Sequence, residues 1–194
     1  MKQTLAIKKH KRKDGPRLPN DHVNESLPKW KQELLYYLSF IRFGAIICIS
    51  IYILLGVVFN VYLVRGSSMT PTLHSGEIVI GNHIAPTLKH GQIIVCKPEG
   101  YGEVIIKRII GMPGDTIDID FVQGVVYLNG EPLDEPYVQA PTYADLGMEF
   151  PLTVDEGCYF VMGDNRNNSW DSRAPNIGLI KRDEILGSYL FSFL

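Results

Sequence analysis

Residues 43–64 run for 22 positions without one Asp, Glu, Lys, Arg or His. A helix of that length, at about 1.5 Å per residue, covers the ~30 Å hydrocarbon core of a bilayer. The segment is therefore read as a single transmembrane helix over 43–64. A cleaved signal peptide has a shorter apolar region, roughly 7 to 15 residues close to the N-terminus, whereas this one follows a tail of 42 residues. That tail holds ten Lys or Arg against four acids, with a cluster at Lys8-Lys9-His10-Lys11-Arg12-Lys13. The positive-inside bias assigns residues 1–42 to the cytoplasm. Residues 65–194 must then be extracytoplasmic, which makes the chain a single-pass protein of the cell membrane. They carry nine basic and seventeen acidic residues, so the net charge of −2 conceals a basic tail joined to an acidic outer domain. Such a balance argues against nucleic acid as a partner.

Within the tail, residues 24–38 read as a short helix at the membrane interface. Ser26 is placed to cap it, Pro28 falls in its first turn, and Trp30, Tyr36 and Tyr37 suit the headgroup layer. Residues 1–20 mix charge, Pro and Gly with few large apolar side chains, a composition expected to stay disordered. The basic cluster reads as a solvated tail, with a contact to anionic membrane lipid as the alternative.

The outer part, residues 65–194, is long enough for one domain with its own core. Strands are expected at 77–80, 92–97, 103–110, 116–119, 125–128, 158–162 and 185–193, separated by clusters of Gly, Pro, Asn and Asp. Asn129-Gly130 after an apolar run signals a type I′ hairpin. Without a sustained 3.6-residue period, the domain is expected to be mainly β, a barrel or folded sheet. Cys96 and Cys158 fall in expected strands, either as a pair or as two buried thiols, and Cys48 lies in the apolar span. His74, His83 and His90 sit at turns without metal-ligand spacing, and neither a metal nor an organic cofactor is expected.

Two residues carry the chemistry. Ser68 stands on a small-residue turn, Gly66-Ser67-Ser68-Met69-Thr70-Pro71. Lys107 interrupts the apolar run Val104-Ile105-Ile106-Lys107-Arg108-Ile109-Ile110. In an extended strand Lys107 shares its face with Ile105 and Ile109, and loss of hydration there lowers an amine's pKa. A neutral amine accepts a proton, so Lys107 is a candidate base for the Ser68 hydroxyl. Arg108 faces the other way and stays protonated, which removes it from that role. Each residue has a plain alternative: a turn serine bonded to its own backbone, and a lysine whose stem packs while its head reaches water. A third segment, Gly163-Asp164-Asn165-Arg166-Asn167-Asn168-Ser169-Trp170-Asp171-Ser172-Arg173, follows an apolar strand and is so polar that it must bond to itself to be ordered.

Taken together, the three segments resemble the type I signal peptidases, membrane-anchored Ser/Lys proteases that remove signal peptides from exported proteins. The likeness covers residues 60–194. It rests on Ser68-Met69-Thr70-Pro71-Thr72-Leu73, on Lys107-Arg108-Ile109-Ile110-Gly111-Met112-Pro113-Gly114-Asp115, and on the loop 163–173. The resemblance implies Ser68 as nucleophile and Lys107 as general base. It implies that Ser169 hydrogen-bonds the lysine amine, that Asp171 and Arg173 form a supporting pair, and that Met69, Leu73, Ile106 and Val64 line shallow substrate pockets. For the oxyanion it implies the Ser68 N–H together with the Gly66 region or water, since Gly66 stands where some members carry a serine. It also implies coiled antiparallel sheets whose apolar edge rests on the bilayer, in the compact form common in Gram-positive bacteria.

Only Arg65, Gly66 and Ser67 separate Val64 from Ser68, so this reading puts the serine at the outer membrane surface. The expected substrates are precursors bearing signal peptides, whose small residues before the cleavage site suit shallow pockets. A related Ser/Lys protease with one dedicated client, of pilus or conjugation type, would share these motifs. A catalytically silent assembly module would keep the scaffold without needing both Ser68 and Lys107.

Overall fold

The structure is a computed structural model that describes residues 27–83 and 87–194. The basic cluster, the expected Ser26 cap and the first twenty residues lie outside the described residues. Helix α1 (Lys29–Val58) is followed by eleven strands: β1 (Phe59–Leu63), β2 (Ile78–Asn82), β3 (Ile93–Cys96), β4 (Ile105–Gly111), β5 (Thr116–Asp120), β6 (Val125–Leu128), β7 (Glu131–Pro132), β8 (Leu152–Thr153), β9 (Cys158–Met162), β10 (Ile180–Lys181) and β11 (Ile185–Phe193).

The apolar segment departs from expectation at both ends. It is helical only to Val58, and the helix starts at Lys29, so the separate interfacial helix and the span are one continuous element. Nothing between residues 29 and 43 breaks a helix: no Pro or Gly intervenes, and most of the side chains are good helix formers. At the other end, Phe59–Leu63 is a strand in full register with β2. Absence of charge does not distinguish a lipid-facing helix from a strand with one apolar face. The strand reading is visible in the alternation of Phe59, Val61 and Leu63 with the more buried Asn60 and Tyr62. Ser68 is thus separated from the helix by a sheet strand and a turn. Helix α1 keeps the length and apolar composition of a membrane-crossing segment.

All strand pairings are antiparallel. One sheet has the order β1-β2-β11-β3-β4-β9-β10 and the other β7-β6-β5-β8. The first sheet curls, with register shifts in β11 and between β4 and β9. Strand β9 reads as a continuous apolar run because both of its faces are covered, and β4 is covered on both faces from Lys107 onward. Ile109, Tyr159 and Val161 face one core with Ile94 and Cys96, whereas Ile110, Phe160 and Met162 face a second with Ile117 and Val126. A third core under the serine turn gathers Val64, Met69, Leu73, Val79 and Ile93.

The expected hairpin forms between β6 and β7, with Asn129 at φ 54° and Gly130 at φ 85°, the two left-handed positions that a type I′ turn requires. Cys96 is buried, Cys158 is half-buried, and both are free thiols, as is Cys48.

Candidate active site

The turn after β1 brings Ser68 against β4. Lys107 Nζ donates to Ser68 Oγ at 2.8 Å and to the Ile106 carbonyl at 3.1 Å. Lys107 is 3% exposed, so its stem and its amine are both out of water. Burial pushes its pKa down, opposed by the negative charge of Asp171. The strand alternation holds: Ile105 and Ile109, two positions either side, belong to the first core.

Ser68 is half-exposed on a groove of about 1100 Å³. Val61, Val64, Gly66 and Met69 line it together with Val104, Ile105 and Ile106. Trp170 stands in the same groove, its indole N–H fixed by Asn176 Oδ1 at 2.9 Å. Of the residues expected to line substrate pockets, Val64, Met69 and Ile106 do line the groove. Leu73 does not. It is completely buried in the third core, beneath Met69. A leucine three residues after an exposed polar turn reads equally as a pocket wall or as an anchor, and here it anchors the turn. Gly66 lies on the groove with φ 85°, a left-handed conformation that disfavours any side chain.

The loop 163–173 bonds its polar groups partly within itself and partly to other segments. Asp171 and Arg173 are fully buried and paired in bidentate fashion, Nε to Oδ1 at 2.8 Å and Nη2 to Oδ2 at 2.9 Å. Asp171 Oδ2 also accepts the Gly163 N–H, and Arg173 donates to the carbonyls of Ala144 and Arg166. Ser169 behaves otherwise than expected. Its hydroxyl is buried without a hydrogen-bond partner, and the bond to the Lys107 amine is not formed. The amine's contacts go to Ser68 and the Ile106 carbonyl, which leaves the Ser169 oxygen as an unused polar group beside the dyad.

Several residues that sequence reasoning did not single out build the frame of this site. Gly163 has no room for a side chain, since a Cβ would lie 2.2 Å from Ser169 Oγ and 2.5 Å from the Ser68 carbonyl. Arg108, set aside as a base, pairs with the buried Asp164 at 2.8 Å and 2.5 Å. Arg166 is buried and pairs with Glu135. The only sequence signal for these was the density of charge in the loop: buried guanidiniums need carboxylates, but sequence does not say which.

With the geometry in view, the comparison with known proteins becomes specific. Residues 37–194 match the model of the family described as signal peptidase, peptidase S26. The chain belongs to the signal peptidase S26 family. Signal peptidase I T of Bacillus subtilis (strain 168) is 38% identical over 168 residues, covering 80% of this chain and 86% of that protein. Signal peptidase I S of the same organism is 37% identical over 145 residues, 70% of this chain and 77% of its own length. A crystal structure of a signal peptidase I from Enterococcus faecalis V583 aligns at 32% identity with a TM-score of 0.43, over 53% of this chain and 96% of that one. Family membership makes this chain a hydrolase that cleaves signal peptides, and its substrates are precursors that carry them. For a signal peptidase, the groove lined by Ser68 and Lys107 is the place to look for the chemistry.

Proposed function

We propose that this signal peptidase is a membrane-anchored Ser/Lys endopeptidase in which Ser68 is the nucleophile and Lys107 the general base. The observation that carries the reading is the 2.8 Å contact between Lys107 Nζ and Ser68 Oγ at a buried amine. At that distance a neutral amine takes the hydroxyl proton as Oγ attacks the scissile carbonyl. The resulting ammonium gives its proton to the leaving amine, and the amine then activates a water that releases the acyl group from Ser68. The oxyanion falls to the Ser68 N–H, with the Gly66 region beside it. Asp171 and Arg173 support the site by fixing the loop that packs on Ser68.

An extended substrate suits this groove. Strand β1 is paired on one side only, and the β9 ladder on β4 begins at Arg108, so the backbone around residues 105–107 is open on that side. A peptide adding to such edges gains main-chain hydrogen bonds, while the shallow walls favour small side chains. Two features support a membrane setting. The described side chains of helix α1 are exposed or half-buried, on a helix long and apolar enough to cross a membrane. On the sheet, Val61, Ile80 and Phe191 form one cross-strand row and Leu63, Ile78 and Phe193 the next. Four of those six are about half exposed or more, with Val61 at 67% and Leu63 at 55%. An apolar sheet face of that kind suits a lipid surface. The basic tail of the sequence points to a cytoplasmic N-terminus and an extracytoplasmic protease domain in the cell membrane.

The test is cleavage of a signal-peptide precursor by detergent-solubilised protein, with the new N-terminus mapped. Ser68→Ala and Lys107→Ala are each expected to lose at least ~10³-fold in rate while the domain stays folded. Full processing by either folded variant sinks the assignment.

A further inference from the structure

Ser68 and Lys107 belong to separate elements, and beside their direct contact a hydrogen-bonded path joins them through Asp164 and Asn165. On the serine side, the Asn165 N–H donates to the Ser68 carbonyl at 3.0 Å. Asn165 Nδ2 reaches the Ser67 carbonyl at 3.1 Å and Thr70 Oγ1 at 3.0 Å, and Thr72 Oγ1 donates to Asp164 Oδ2 at 2.5 Å. On the lysine side, Arg108, next in the chain to Lys107, holds both oxygens of the same Asp164. A displacement of Asp164 and Asn165 pulls on the Ser67 and Ser68 carbonyls on one side and on Arg108 on the other, and so acts on the spacing of Ser68 Oγ and Lys107 Nζ. Two buried guanidiniums fix this pair from behind: Arg108, and Arg166, whose Nε donates to the Gly163 carbonyl at 3.0 Å.

One short segment of the chain covers both guanidiniums. Glu135 accepts two bonds from Arg166, one of them at 2.6 Å. Two residues on, the ring of Tyr137 lies over the Arg108 guanidinium at 4.0 Å from its centroid. The Tyr137 hydroxyl donates to Glu135 Oε1 at 3.2 Å, which ties the two contacts together. We propose that Glu135 and Tyr137 form a strap that positions the dyad, acting through Arg166 and Arg108 on the loop that sets the Ser68 to Lys107 distance. Neither residue touches the groove or the reacting atoms, so both are positioning residues. The proposal rests on the Ser/Lys reading above.

The physical case is direct. The Arg166 side chain is wholly buried, so without Glu135 its charge must find water or another carboxylate, and the Gly163 carbonyl moves with it. Removing the Tyr137 ring lets water reach Arg108 and loosens its hold on Asp164. Misplacing reacting groups by about 1 Å costs on the order of 10²-fold in rate.

The experiment uses the full chain in detergent with a signal-peptide precursor, measuring kcat and KM separately across pH, and scaling each rate to the folded fraction from thermal unfolding. Tyr137→Leu is expected to lower kcat by about tenfold with KM within about twofold. Tyr137→Phe, which keeps the ring, is expected to recover most of that loss. In Tyr137→Leu the acid limb of kcat should move to higher pH, because an amine displaced toward water regains its proton more easily. The charged and titratable groups around Lys107, namely Asp171, Arg173, Asp164 and Cys96, are all retained in these variants. Loss of folded protein alone does not move that limb. Glu135→Gln provides a second arm, expected to lower kcat by ten- to a hundredfold, with Glu135→Asp recovering part of it. A folded Tyr137→Leu with the parent's kcat and acid limb overturns the strap. Ser68→Ala and Lys107→Ala run beside it: if they are inactive while the strap variants keep full rate, only the strap fails, and if they cleave, the dyad fails first.

Discussion

The serine turn and the lysine strand meet where Lys107 bonds Ser68 but are built on opposite principles. Strand β4 is buried from Lys107 to Gly111, with one core on each face and ladders to β3 and β9. The turn at Ser68 is half-exposed and hangs on hydrogen bonds to Asn165 and on two anchors, Met69 and Leu73. The base is thereby kept dry and fixed, which lowers its affinity for a proton, while the nucleophile stays open to substrate. Neither arrangement would serve the other residue: a lysine on the turn would be hydrated and charged, and a serine within the strand would be out of reach.

That contrast can be broken by substitution. The largest stability effect is expected on the strand side, where Ile109→Ala removes a fully buried side chain and should cost about 2–5 kcal/mol in urea unfolding. Lys107→Met should stabilise the domain at neutral pH, on the order of 1–3 kcal/mol, because it removes a buried polar group. Burial lowers the folded-state pKa of Lys107, so below its ordinary value near ~10.4 the unfolded chain binds a proton that the folded chain does not. The parent therefore loses stability as pH falls from that value toward its folded pKa, and the advantage of Lys107→Met should grow over the same range. A pH-independent difference would mean that the amine is not dehydrated.

On the turn, Gly66→Ala meets open space but a left-handed backbone and should cost only about 1–2 kcal/mol. If it cost more than Ile109→Ala, the turn would not be the softer side. The smallest stability effect belongs to Ser169→Ala, expected within about 0.5 kcal/mol or slightly stabilising, since its hydroxyl has no partner to lose. A rate loss in that folded variant would show that the hydroxyl finds the lysine amine during the reaction.

Much of this was readable in advance, for identifiable reasons. Strands β6 and β9 were legible because apolar runs end at strong turn residues, Asn129-Gly130 in the first case and Gly163 in the second. Strands β7, β8 and β10 are two residues each, too short to carry a period. Strand β1 was hidden because its apolar face extends an uncharged run that began in the helix. Leu73 fills a core where a pocket wall was implied, because a turn-end leucine has the same local pattern in either place.

By itself, the sequence determined the chemistry available to this protein: a serine on a small-residue turn, a lysine amid isoleucines, a dense polar loop, and an apolar segment ahead of an acidic β domain. These are local properties, carried by neighbours within a few residues. Only the tertiary structure decided that the uncharged run divides at Val58, that Lys107 stands 2.8 Å from Ser68, that the Ser169 hydroxyl is left alone, and that Glu135 and Tyr137 back the two arginines. Those facts depend on sheet register and on partners dozens of residues apart, and nothing in the local order of side chains specifies which distant carboxylate a buried guanidinium will meet.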